Sequence, residues 1–165
     1  MKNNLKKNKL IISGVDLLKP GLRKKVLRLI KKVYVAADLP DMFLSLHFTS
    51  DEEIKALNLQ WRGKNKATDV LSFAAQAGEE MPGFDFVLGD VVISVEKAKS
   101  QAKQLGHKTH QEIAVLFAHG IMHLLGLDNE RDAESAIRQV ECEMALLDRA
   151  DISPLLALTR RELYV

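Results

Sequence analysis

Two histidines, His119 and His123, stand four residues apart in a run, Ile113 to Leu127, that carries no Asp, Glu, Lys or Arg. Four residues is about one helical turn, so the two imidazoles leave the same face one above the other and can share a single cation. Gly126 suits the left-handed turn after a helix end. Asn129 then falls ten residues after His119, where a third donor would close a facial set. An amide oxygen is a weaker zinc ligand than imidazole, thiolate or carboxylate. Asp128, Glu130 and Asp132 lie close enough in sequence to take its place. The competing reading is a pair of buried histidines satisfied by backbone carbonyls. A second chemical feature is the turn-like segment with Arg62, Gly63, Lys64 and Lys66, just before an apolar strand. A guanidinium fork matches phosphate oxygens two at a time, so this turn is a candidate phosphate clamp. An exposed basic turn with no such role is the plainer alternative.

The spacing His-x3-His-x5-ligand is also the one that long zinc-protease motifs offer their metal. Proteases of the His-Glu-x-x-His type place a general-base glutamate directly after the first histidine. Here that position is Gly120, which takes no proton, so peptide hydrolysis by that route is not expected.

The element that must position the histidines is a helix. Thr109-x-x-Glu112 reads as a capping box at its start, Gly126 ends it, and a helix apolar on all sides belongs in the core. A run of fifteen uncharged residues is too short to span a bilayer, which needs about 20. Around it, residues 9 to 15 read as a strand. Pro20 opens an amphipathic helix with Leu22, Val26, Ile30, Val33 and Ala37 on one side and Lys24, Arg28, Lys31 and Lys32 elsewhere. Alternation from Phe43 to Thr49 marks a second strand, with His47 facing away from Leu46 and Phe48. Ser50-x-x-Glu53 opens a helix through Ile54, Leu57 and Trp61. Asp69 precedes the strand Val70 to Ala74 and is expected to hold the turn by accepting backbone amides.

Residues 77 to 85 read as a loop, and Leu88 to Ser94 as a strand buried on both faces. Helices follow over Val95 to Leu105 and about Ala133 to Leu147. Ser153-Pro154 opens a last one to about Leu163. His107 and His110 flank the start of the histidine helix and are expected to be exposed. The order β-α-β-α-β-β-α-α-α-α predicts an α+β domain, residues 1 to 165, with a small mixed sheet under several helices and the histidine helix buried centrally.

Composition fits one globular unit: 47% of the 165 residues are hydrophobic and 28% charged. The single Cys142 excludes an intrachain disulfide, and Met1 to Lys9 is polar and basic rather than a secretory segment, so a reducing cytoplasm is the expected home. The net charge of +2 conceals an asymmetry. The first 35 residues hold eleven of the 24 Lys and Arg but one of the 22 acids, Asp16. That end is suited to a polyanion, with RNA, DNA and anionic membrane all open. A solvated basic tail and an ordinary helix face would give the same count.

Four separated segments carry a resemblance. They are Leu57-Asn58 with Trp61-Arg62-Gly63-Lys64, then Thr68-Asp69-Val70-Leu71-Ser72-Phe73, then Leu88-Gly89-Asp90, and His119-Gly120-x-x-His123-Leu124-x-Gly126-x-Asp128. In that order they resemble the YbeY family of bacterial metal-dependent endoribonucleases, which act in ribosomal RNA maturation and small-subunit quality control. The resemblance implies a four-stranded mixed sheet packed with about six helices. It implies a single-strand-specific endoribonuclease in which three histidines of His-Gly-x-x-His-x5-His hold one zinc or other divalent transition metal. An arginine of the Arg-Gly-Lys turn assists catalysis. Ribosomal RNA and the small ribosomal subunit are the implied partners.

Carried onto this chain, the metal positions are His119, His123 and Asn129, and the catalytic arginine is Arg62. Asn129 departs from the family's histidine. Disturbing groups that merely orient metal ligands costs about 10–100-fold, and losing a ligand should cost at least as much. Ala74 also stands where the family tends to have proline. Two further readings follow: a catalytically weakened ribosome-assembly or RNA-binding factor on the same fold, favoured by Asn129, and a metal-dependent hydrolase of another substrate.

Overall fold

In a computed structural model, residues 9–75, 87–127 and 132–161 are described. The elements are β1 (Leu10–Ser13), a 3-10 turn (Val15–Leu17), α1 (Pro20–Ala37), β2 (Phe43–Thr49), α2 (Asp51–Arg62), β3 (Val70–Ala74), β4 (Val87–Ser94), α3 (Val95–Leu105), α4 (Thr109–Leu124), α5 (Ala133–Arg149) and α6 (Leu155–Arg161). The α+β class and the order of elements are those expected, with the 3-10 turn added. The expected loop at 77–85 lies outside the described residues.

The strands lie in the order β1-β2-β4-β3. The first three are mutually parallel, and β3 runs antiparallel to β4 at the edge. Strand alternation then divides the packing. Leu44, Leu46 and Phe48 of β2 with Val91 and Ile93 of β4 enter the main core beneath α1 and α4. Leu71 and Val92 face the other way and pack with Ile54 of α2, joined by Leu57 and Phe73. So α2 and α4 sit on opposite faces of the β3–β4 pair.

At the centre is α4, in which every residue from Glu112 to Leu124 is buried except His119 and His123. Burying a large aliphatic or aromatic side chain contributes about 1.5–3 kcal/mol. Ile113, Val115, Leu116, Phe117 and Ile121, all fully buried, therefore fix this helix firmly and with it the direction of the two imidazoles. Gly126 takes φ 85°, a conformation open to glycine at little cost, and its amide donates to the His123 carbonyl. Gly120 serves differently. A Cβ there would stand 2.7 Å from a Val91 methyl carbon, so its bareness lets α4 lie close against the sheet.

Two expectations at the start of α4 are corrected. The cap is Lys108, whose amide donates to the Gln111 side chain, rather than Thr109 paired with Glu112. Glu112 is instead fully buried and lies 2.5 Å from Nε2 of His107. The capping pattern fails because the helix register turns Glu112 inward. His107, expected on the surface, is consequently largely enclosed, its side chain 8% exposed. The Ser50 cap of α2 forms as expected, its hydroxyl accepting from the Glu53 amide; the Glu53 carboxylate turns to the Thr49 hydroxyl. No helix among the described residues is long and apolar enough to cross a membrane.

Candidate metal and active site

The one-turn spacing of His119 and His123 places their rings edge to face, with centroids 4.5 Å apart. Their Nε2 atoms converge to 2.9 Å. Behind His119, Nδ1 lies 2.6 Å from a carboxylate oxygen of Glu143 on α5. An ionised carboxylate only accepts, so the proton sits on Nδ1 and the Nε2 lone pair is left facing His123. The two imidazoles thus meet through nitrogens that a proton or a cation must reconcile.

These donors fit a metal ion. Two nitrogens at the usual zinc distance and tetrahedral angle stand roughly 3.3 Å apart, so a slight opening of the pair admits one. The carboxylate behind the ring is the usual orienting partner of a ligating histidine. Among the described residues no group of three or more His, Cys, Asp and Glu is arranged to hold a metal, so the described part of the site supplies two donors. Asn129, Asp128 and Glu130 lie outside the described residues. Asp132, the remaining substitute ligand, is occupied as the N-cap of α5. It accepts from the Ser135 amide at 2.7 Å, and those bonds hold its carboxyl below the usual range.

Gln139 completes the surroundings. Its amide nitrogen lies 3.0 Å from His119 Nδ1, 3.4 Å from His123 Nε2 and 3.1 Å from Glu143. Its buried carbonyl oxygen has no hydrogen-bond partner among the described residues. Neither Gln139 nor Glu143 was singled out from the sequence. The signal was there: they share a stripe with Leu146 and Leu147, all four buried, so two polar residues interrupt the apolar face of α5. A polar group held on such a face is there to meet another polar group.

Arg62 shares no hydrogen bond with the histidines among the described residues. It is exposed in the last turn of α2, on the opposite face of β3. The two places share a level on that strand. Trp61 packs edge-on against Phe73, centroids 6.2 Å apart, and the next residue, Ser72, donates from its hydroxyl to the Gly120 carbonyl at 3.3 Å on the other face.

The turn between α2 and β3 is held in place. Asn58 donates to the Lys66 carbonyl at 2.8 Å. Asp69 accepts from the Val70 amide, as expected, and also from Gln101 and Arg160 through its second oxygen. The buried anchor to Arg160, 91 residues away, was not foreseen. His47 lies on the face opposite Leu46 and Phe48, 2.8 Å from the Ser13 hydroxyl, and takes no part in the site.

A family model described as Endoribonuclease YbeY matches residues 15–150. A protein named Endoribonuclease YbeY from Sulfurihydrogenibium sp. (strain YO3AOP1) is 35% identical over 150 residues, covering 90% of this chain and 97% of the relative. One of the same name from Aquifex aeolicus (strain VF5) is 42% identical over 136 residues, 82% of this chain and 89% of the relative. Another, from Nautilia profundicola, is 52% identical over 94 residues, 57% and 64% respectively.

Proposed function

The chain belongs to the YbeY endoribonuclease family, and from that premise we propose that it cleaves RNA phosphodiester bonds at the opening on α4 where His119 and His123 meet. The observation that carries the reading is the 2.9 Å convergence of their Nε2 atoms, at the two positions between Glu112 and Leu124 where the helix is not buried. His119 and His123 would hold one divalent ion, zinc or another transition metal. When bound, that ion supplies an activated water and neutralises phosphate charge.

The protein's own groups do the rest. Glu143 keeps the proton on His119 Nδ1, so Nε2 is always a donor to the ion. Gln139 fills the space beside both rings and restrains their rotation. Arg62, reaching round the edge strand β3 from the rigid turn, would pair with phosphoryl oxygens as charge builds on them. Its exposure leaves its side chain available for that movement. Ribosomal RNA in the small subunit is the proposed substrate, met in the cytoplasm. The names of the relatives favour turnover over the binding-only reading.

The test is cleavage of an rRNA-derived single strand with added zinc, manganese or nickel by the unaltered protein, His123→Ala and Arg62→Ala. The expected result is loss of cleavage in both variants, with metal binding lost only in His123→Ala. Equal cleavage by all three overturns the site.

A further inference from the structure

The opposite end of α4 carries a second charged feature. A cleft of about 470 Å³ is lined by Leu22 and Lys25 of α1, Lys99, Ala102 and Lys103 of α3, and His107, Lys108, Thr109 and His110 where α4 begins. Lys25, Lys99, Lys103 and Lys108 are all exposed, and no carboxylate is among the described lining residues. Two segments distant in sequence, α1 and the corner where α3 meets α4, therefore contribute cations to one shallow cleft, which a run of surface lysines on a single helix would not do. His110 reports the resulting field. Its pKa is lowered first by partial burial and then by Lys25, Lys108 and Arg28.

We propose that this cleft binds the phosphate backbone of single-stranded RNA at a point separate from the histidine pair. The inference rests on the RNA-cleaving reading and extends it. From Thr109 to His119 the helix rises about 15 Å, and the step of nine positions from His110 to His119 places them on roughly opposite sides of it. A short oligonucleotide occupies one place or the other, whereas a long strand engages both and gains effective concentration at the second contact. The described lining has lysines but no Phe, Tyr or Trp on which bases could stack, so the contact is chiefly electrostatic and indifferent to sequence.

The test uses fluorescence anisotropy with a short and a long single-stranded RNA across a salt series. It compares the unaltered protein with a Lys25→Glu, Lys99→Glu, Lys103→Glu triple variant. Three lost contacts at about 0.7 each should lower the salt slope for long RNA by about 2 and its affinity at least roughly tenfold. Cleavage of the short RNA, which needs only the histidine pair, should be unchanged. A triple Lys→Gln variant, which removes charge without adding acid, should move the same way and replaces the first if circular dichroism shows that one misfolded.

Unchanged long-RNA affinity and salt slope in the variants overturn the cleft while leaving the nuclease reading intact. No RNA binding by the unaltered protein at low salt overturns both. Loss of binding to phosphatidylserine vesicles, with RNA binding unaffected, assigns the cleft to a membrane surface instead.

Discussion

His119 Nδ1 and Glu143 Oε1 lie 2.6 Å apart although 24 residues separate them, and the carboxylate is 4% exposed. The contact sets which nitrogen of His119 is free, and so whether the pair can act as a ligand at all. Glu143→Gln keeps the shape and removes the charge. Metal affinity should fall by about 10–100-fold, read by competition with a chromogenic chelator. An affinity equal to that of the unaltered protein would deny Glu143 this positioning role.

Gly120 separates α4 from β4 by the thickness of no side chain. Gly120→Ala pushes a carbon to 2.7 Å from Val91 Cγ1 and 3.2 Å from Ser72 Oγ, against a sheet that gives little. Overpacking of this kind costs about 1–3 kcal/mol, measured by urea unfolding. Adding Val91→Ala should recover part of the loss. A Gly120→Ala protein as stable as the parent would show that the helix can lift without cost.

Asp69 and Arg160 form a buried pair at 2.9 Å, with side chains 5% and 9% exposed. Arg160→Met leaves a buried carboxylate short of its cation, and removing one partner of such a pair costs about 3–5 kcal/mol. Asp69→Asn with Arg160→Met should cost less than the two single changes summed. A single-variant loss below about 1 kcal/mol, the scale of an exposed pair, would place the contact among surface interactions.

Glu112 gives a pH dependence. Burial raises its pKa above the ordinary 4.5, opposed in part by its hydrogen bond to His107. A folded-state pKa above the unfolded one means the native protein holds this proton more tightly. Its stabilising contribution is therefore complete below 4.5 and is lost as pH climbs through the folded value. Glu112→Gln removes that slope. The variant should gain on the parent as pH rises from the carboxylate range to neutrality, followed by urea midpoints at several pH values. Parallel stability curves for the two proteins would show that Glu112 titrates alike in both states.

What the sequence determined is what local rules encode. The helical period and the charge-free run specify α4, the i, i+4 spacing specifies that His119 and His123 share a face, and alternation specifies the two faces of β2. Gly126 marks the turn because few other residues take its φ. The Arg62 turn and the family resemblance were legible for the same reason, being contiguous residue patterns. Tertiary structure decided the contacts whose partners are far apart in the chain. It turned Glu112 inward onto His107, delivered Glu143 and Gln139 from α5 to the imidazoles, tied Asp69 to Arg160, and set Arg62 across β3 from the histidines. Periodicity says which side of an element is buried, but the partner met there depends on how helices and sheet pack, and that is fixed only when the whole core closes.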